Sequence, residues 1–528
     1  MKQLMLGAAA IAMVSACNAE DTSTTTPVVQ ELGEIVVRTG NPALAPDALA
    51  AMSLAESGSG ILTFADSSVE GANATFSDVT VAGEEALKAE SLVFEGLDMT
   101  DGNANFARMV FNNVVLSDPE GEEDGEVRIA TLELVNPSPE LAAWMAGALQ
   151  TGAPTEFPEA EKISFDSWAI SGLTGSFDDT EASGTFGLDS IEIRGVSDLK
   201  AAQMKMSDLS FNVLDTSDDM NADISLGDLT LSNVDAKVLS AIQDNIGDEE
   251  ALMAAVMDVA YENPMDPGYD AISMSDFNVA VAGADFSMPS MTTFVERNQA
   301  GQPVKFVTEE FTMNLKADPE GGEAGSELAQ GLSMIGYEEV TINGAGVSEY
   351  DPDLDIISFD ADSNYFELVD GAKFSFGGKV EGYSQYASDI GTAFDFEALA
   401  AGGEPDPNAM TDALGAISIH NFELQIADDS LVNRVFNLAA TQMGQDPAEL
   451  KTQAGAMLSM APMMIQGSGV DVALVTEATT AVASFLNEPG TLTLKLSPDA
   501  PLSIAAMMEN PDPAGFTKDA LGFSASNN

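Results

Sequence analysis

Few residues of this 528-residue chain are equipped for chemistry. It has one histidine, His420, and one cysteine, Cys17, so a zinc site of the Cys/His kind lacks its ligands. His420 stands in the alternating stretch "ISIHNF", Ile417 to Phe422. A lone strand histidine is more often a surface or structural group than a catalyst. Ser197 and Lys200 have the S-x-x-K spacing that sets a lysine one helical turn from a serine nucleophile. Their context is extended, the companion K-T-G is missing ("KTQ" at Lys451 is no substitute), and no G-x-S-x-G occurs.

Oxygen donors are dense in "DPDLDIISFDADSNYFE", Asp351 to Glu367. An EF-hand loop starting at Asp360 would place Tyr365 where glycine is needed and Gly371 where a glutamate is needed, so that motif fails, and solvated turns are the plainer reading beside a loose calcium site. "MLSMAPMM", Met457 to Met464, concentrates thioethers that suit copper(I), although methionine-rich helices more often fill cores or meet apolar ligands. Carboxylate pairs that could serve a glycosidase carry no information in so acidic a chain, and two tryptophans are a poor supply for stacking sugars. Glycine loops followed by lysine, which cradle phosphates, are missing. These residues assign no catalytic group, no cofactor and no metal ligand.

Charge narrows the partners. Asp and Glu number 86 against 19 Lys and Arg, a formal net charge of −67. Nucleic acids and anionic headgroups are bound by neutralising phosphates, so this field repels both. The basic residues Lys88, Arg108, Arg128 and Lys162 stand singly and build no patch. Apolar residues make up 45% of the chain, enough for a sizeable core.

The start, "MKQLMLGAAAIAMVSAC", has a basic opening at Lys2, an apolar run from Leu4 to Val14 and a small-residue step to Cys17. That run is too short to span a bilayer and reads as an export signal over residues 1–16. "VSAC" resembles the lipobox of bacterial lipoproteins, which implies that Cys17 becomes the lipidated first residue of a periplasm-facing, outer-membrane protein. The alternative is ordinary cleavage after Ala19. In either case no disulfide and no catalytic thiol is expected. Residues 17–45, polar and threonine-rich at first, read as a flexible tether.

The elements that must position any site show a recurring change of phase. In "ISMSDFNVAV", Ile272 and Met274 alternate on one parity, and Phe277, Val279 and Val281 on the other. The same step recurs around Asn421, Asp208, Asp228, Ser167, Asn113 and Gly344, and in part after Phe76, Phe94 and Ile191. Alternate strand residues face opposite sides of a sheet, so a β-bulge that absorbs one extra residue restores the apolar face. Asp276 is therefore expected to be a bulge within a long strand. Repeated bulges predict a long, curved antiparallel sheet, with a parallel β-helix as the alternative.

Helical patterns are expected at Ser138 to Leu149, Asp248 to Glu262 and Gly325 to Ile335. From residue 430 the pattern turns helical, with Gly444 as a stop, Asp446 and Pro447 as a start, and an alternating strand at Thr491 to Leu496. The expected fold is mainly β with α: a curved β-rich body over 46–429 and a helix-rich C-terminal cap with one strand over 430–528. In pattern, residues 60–430 resemble AsmA-type β-groove proteins, which implies lipid transfer and carries no functional residue across. Three functions follow as expectations: a noncatalytic cell-envelope lipoprotein, structural or partner-binding; binding or transfer of an apolar ligand in a β-groove; and a carboxylate-based hydrolase. The expected contacts are the membrane through the lipid anchor and an apolar ligand or envelope protein, with no nucleic acid.

Overall fold

The computed structural model describes residues 32–81, 86–117, 126–151, 158–178, 182–215, 220–235, 265–281, 283–319, 322–393, 413–465, 471–509 and 517–528. The segment expected to be an export signal, Cys17, the first part of the expected tether and the helix expected at Asp248 to Glu262 lie outside these residues. The chain divides into two compact units: described residues 32–235 with 267–281, and 265–266 with 283–528. The helices expected over 430–528 fall inside the second unit, together with the strands that precede them.

The first unit is an antiparallel meander. Its strands are β1 (Leu62–Thr63), β2 (Asp66–Glu70), β3 (Asn73–Val81), β4 (Ala86–Glu95), β5 (Asp98–Thr100), β6 (Asn103–Asn105), β7 (Arg108–Ser117), β8 (Glu126–Val135), β9 (Phe165–Asp178), β10 (Ala182–Ser197), β11 (Lys200–Asp215), β12 (Met220–Asp235) and β13 (Ala271–Val281). Apart from the small β5–β6 hairpin, each strand pairs with its neighbour in sequence, β1 and β2 both lying along β3. Every pairing among the described residues is antiparallel, which removes the parallel β-helix.

The phase changes are real, but in this unit they are not bulges. Between β11 and β12, Ser207 pairs with Asp228 and Leu209 with Leu226, so Asp208 faces Gly227 and each strand passes one residue. No residue is added, and the register stays the same on both sides. The device is a left-handed backbone residue inside the strand: Asp78, Asn113, Asp208 and Asp276 have φ of 51°, 49°, 50° and 50°, and Gly172 has 60°. These residues belong to alternate strands and face Glu90, Ala130, Asp189 and Gly227 of the strands between, outside the ladder. Together they form one crease across the sheet.

A second crease runs parallel to it. Gly96, Asn136, Gly195 and Asn233 have φ of 65°, 50°, 65° and 50°, and they face Ala107, Asp166, Ala202 and Asp270. Each strand from β4 to β13, the β5–β6 hairpin aside, thus meets one crease, at Glu90, Ala107, Ala130, Asp166, Asp189, Ala202, Gly227 or Asp270. Six positions later it turns left-handed at Gly96, Asn113, Asn136, Gly172, Gly195, Asp208, Asn233 or Asp276. Asp, Asn and Gly tolerate this conformation best, which is why they occupy all nine left-handed sites, Asp78 included. The burial follows: in β3, Ala74 and Phe76 point inward before Asp78, and Val79 and Val81 after it.

Residues 32–41 lie along the second crease. Arg194 donates to the carbonyls of Leu32 and Gly33, Asn136 Nδ2 donates to the Val36 carbonyl at 2.9 Å, and the Asn41 N–H donates to the Leu97 carbonyl at 2.9 Å. At Gly40 a Cβ would fall 2.3 Å from the Gly96 backbone, so only glycine permits the approach. The part of the tether that is described is therefore bound to the sheet. Helices α1 (Ala45–Ala51) and α2 (Pro139–Thr151) cover the inner face and close an apolar core around Phe76, Phe94, Phe106, Leu92 and Ile129. The rings of Phe64, Phe76, Phe94 and Phe106 meet edge to face at 4.8, 6.5 and 5.3 Å.

The second unit holds β14 (Ala284–Arg297), β15 (Pro303–Ala317), β16 (Glu339–Asp351), β17 (Ile356–Phe359), β18 (Tyr365–Leu368), β19 (Ala372–Glu381), β20 (Ser418–Asp428), β21 (Thr491–Leu496), β22 (Leu502–Ser503) and β23 (Ser524–Asn527). They again pair antiparallel, in sequence order as far as β21, with β17 and β18 sharing the space between β16 and β19, β22 lying along β20 and β23 along β21. Its helices are α3 (Gly322–Met334), α4 (Tyr383–Ala393), α5 (Leu431–Met443), α6 (Pro447–Met464), α7 (Val472–Asn487), α8 (Ile504–Glu509) and α9 (Lys518–Leu521).

True bulges occur here. Lys379 pairs with Asn421 and Val380 with Ile419, leaving His420 as the extra residue. Thr308 pairs with Gly346 and Phe311 with Gly344, so the extra residue lies in β15, opposite Ala345 and one residue from the expected centre at Gly344. Gly444, left-handed at φ 64°, ends α5, and the Asp446 carboxylate accepts the Ala448 and Glu449 N–H groups at the start of α6. A buried ion pair closes the β14–β15 turn: both Arg297 terminal nitrogens donate to the fully buried Asp266 carboxylate, at 2.7 and 2.8 Å.

Candidate functional site

In the second unit one sheet face is apolar, and among the described residues helices cover it at two places. At one place α3 brings Leu328 and Leu332, with Tyr337 just beyond its end, over Ala317, Val340 and Leu368. At the other, α5 and α7 bring Val432, Ala481 and Phe485 over Ile426, Leu492 and Leu494. The register places Phe311, Gly344, Phe366 and Phe374 side by side on this same face, followed by Ile426. Phe376 lies two residues beyond Phe374, beside Leu424, and Phe359 lies opposite Gly378.

The result is a strip of phenylalanines between the helical covers. Phe311 and Phe366 meet at 6.5 Å across Gly344, Phe366 and Phe376 stack at 6.3 Å, and Phe376 meets Phe359 at 5.9 Å. The two glycines make room for this: a Cβ on Gly344 would strike the Phe311 ring at 2.5 Å, and one on Gly378 would meet Phe359 at 3.1 Å. The rings therefore lie down on the backbone instead of standing apart. Phe366 is 48% exposed and its three neighbours are half-buried, whereas Phe76, Phe94 and Phe106 of the first unit are at most 1% exposed. Hydrocarbon laid on this strip would remove apolar area from water at about 25 cal/mol per Å².

The reverse face is polar. There Tyr365 donates to Glu310 at 3.0 Å and carries the Lys373 ammonium 3.6 Å above its ring, while Lys495 pairs with Glu423 at 2.8 Å. Burial, followed by the Glu310 carboxylate, pushes the Tyr365 phenol up, and burial with the Asp355 carboxylate pushes Tyr350 up to about 12. These phenols stay protonated and neutral at physiological pH.

The residues with chemical potential are kept apart. His420 Nε2 lies 2.8 Å from Glu381, an exposed pair with no nucleophile attached. Ser197 and Lys200 pair across the β10–β11 hairpin, whose turn residues Asp198 and Leu199 have φ of 49° and 59°, so they do not stack along a helix. Asp351 Oδ1 accepts the Asp353 and Leu354 N–H groups, and Asp360 Oδ1 accepts that of Asp362. Those carboxylates form turns. Among the described residues no three His, Cys, Asp or Glu groups come together to hold a metal. The buried carboxylates among them, Asp235 and Asp266, belong to different units.

The sequence reading missed the phenylalanine strip. Its signal was present as glycines inside strands, Gly344 and Gly378, each opposite a phenylalanine, but cross-strand register is needed to see the match. A family model described as "Uncharacterized protein" matches residues 365–528, from Phe366 and Phe376 to the C-terminus. No curated protein matches the chain. Among the described residues no helix is long and apolar enough to cross a membrane.

Proposed function

We propose that the chain is a noncatalytic cell-envelope lipoprotein, anchored through Cys17, whose second unit binds an apolar ligand such as an acyl chain. The observation that carries this reading is the strip Phe311, Phe366, Phe376 and Phe359, a half-exposed aromatic run between two helix-covered stretches of one sheet face. Helices α5 and α7 act as a cap at one end of the strip, and α3 bounds the other. The four rings carry no charge and no strong hydrogen-bond donor, so selection is by apolar contact, and the net charge of −67 disfavours anionic headgroups. A structural, partner-binding role fits the first unit better, since its inner face over β3 to β8 is already filled.

Titration with a fluorescent fatty acid tests the proposal. The wild-type chain should bind it, and Phe366→Ala with Phe376→Ala should weaken binding at least tenfold, while Val69→Ala on the exposed edge strand β2 should leave it unchanged. Equal binding by all three proteins would remove the strip from any role in ligand recognition.

A further inference from the structure

The methionine run is the motif that this function does not absorb. It lies on α6, and it is not core: Met457 is 73% exposed, Met460 52%, Met463 65% and Met464 80%. The opposite side of the helix faces α7, where a Cβ on Gly455 would meet Asn487 Nδ2 at 3.3 Å. An α-helix turns once per about 3.6 residues, so Met457, Met460 and Met464 fall within about a 60° arc. Met460 stands three residues after Met457 and four before Met464, and at such spacings Cβ atoms lie about 5–6 Å apart.

We propose that this face is a binding site for a soft monovalent metal ion, copper(I) in kind, with Met460 as the central ligand and Met457 and Met464 (or Met463) as its partners. Three points carry it. Thioethers are soft, neutral donors that select copper(I) and silver(I) over calcium or magnesium. Their three rotatable bonds let the sulfurs converge from neighbouring turns. The surrounding field of −67 concentrates cations, while the helix itself bears only Glu449 and Lys451 as charged residues, both at its N-terminal end, so hard-ion ligands do not compete on the methionine face. Binding is simple coordination and involves no electron transfer.

The test uses the full chain with Cys17→Ser, so that no thiol contributes. Silver(I), which is redox-inert, is added to protein carrying ¹³C-labelled methionine methyls. The Met457, Met460 and Met464 methyl signals should move together and saturate near one equivalent. In competition with a copper(I) chelator, Met460→Leu should lower affinity at least tenfold, whereas Met204→Leu in the core and His420→Ala should not. Leucine preserves helix and volume, and an unchanged circular dichroism spectrum confirms the fold. Unmoved methyl signals, or affinity unaffected by Met460→Leu, would overturn the site. Should the same methyls respond only to detergent micelles, the face is an apolar contact surface and the metal proposal is wrong.

Discussion

Asp208 shows how much one residue's backbone decides. It is exposed, so its side chain adds little packing, yet its φ of 50° is one that most L-residues enter at a cost of about 1–2 kcal/mol. Asp208→Val, branched at Cβ, should therefore lower stability by about that amount in urea unfolding, and Asp208→Gly should be near neutral. Asp189, which faces it across the crease with an ordinary φ, should tolerate alanine within about 0.5 kcal/mol. If Asp189→Ala and Asp208→Val cost the same, the left-handed position is not what holds the crease. Arg297 is the contrasting case, a side chain whose loss strands a buried charge. Arg297→Ala should cost about 3–5 kcal/mol by leaving the Asp266 carboxylate unpaired, and Asp266→Asn with Arg297→Ala should recover part of that.

At the scale of elements, the phase step in each strand was legible in the sequence, and its mechanism was not. A step from Leu226 to Leu229 says that two residues intervene, but not which of them leaves the ladder. Sequence favoured Asp228, and the structure uses Gly227, because a strand leaves the ladder on the first residue at its first crease and on the second at its second. The same one-residue displacement separates Ser167 from Asp166. The helices over 139–151 and 322–334, the stop at Gly444 and the strand at Thr491–Leu496 were read from local signals, which is where local signals suffice. Glu477 and Asp471 show a tie that sequence hides. Asp471 accepts the Lys518 N–H at 2.6 Å and the Ala473 N–H at 2.8 Å, and Glu477 pairs with Lys518 and accepts the Ala525 N–H at 3.1 Å. Those bonds, the Lys518 ones first, hold both carboxyls below their usual range. Because folding lowers these pKa values, the tie is complete above the ordinary carboxylate range and is lost as pH falls through the depressed values. The protection of the Ala525 amide, its hydrogen exchange rate taken relative to the intrinsic rate at each pH, should therefore stay high through mild acid and fall only below that range. Protection that is already low near neutral pH would mean that the carboxylates do not hold the C-terminal strand.

At the scale of the whole molecule, charge opposes what packing achieves. With 86 acidic side chains against 19 basic ones, most carboxylates have no cation to pair with, and the ion pairs present, such as Arg108 between Glu95 and Glu133, use up the scarce positive groups. Salt acts on both populations with opposite sign: it weakens the pairs and relieves the repulsion. Exposed pairs contribute only about 0–1 kcal/mol each, whereas unpaired like charges interact over a Debye length of about 30 Å at 0.01 M and about 8 Å at 0.15 M. Repulsion outweighs pairing in this chain, so the unfolding temperature should rise between about 0.01 and 0.15 M sodium chloride and change little when the salt is sodium bromide at equal ionic strength. A fall with added salt would mean that the few ion pairs prevail over the field. The same field makes a separate demand on the phenylalanine strip: binding of a negatively charged fatty acid should strengthen over that salt range, and binding of its neutral methyl ester should not, which separates repulsion at the rim from contact with the rings.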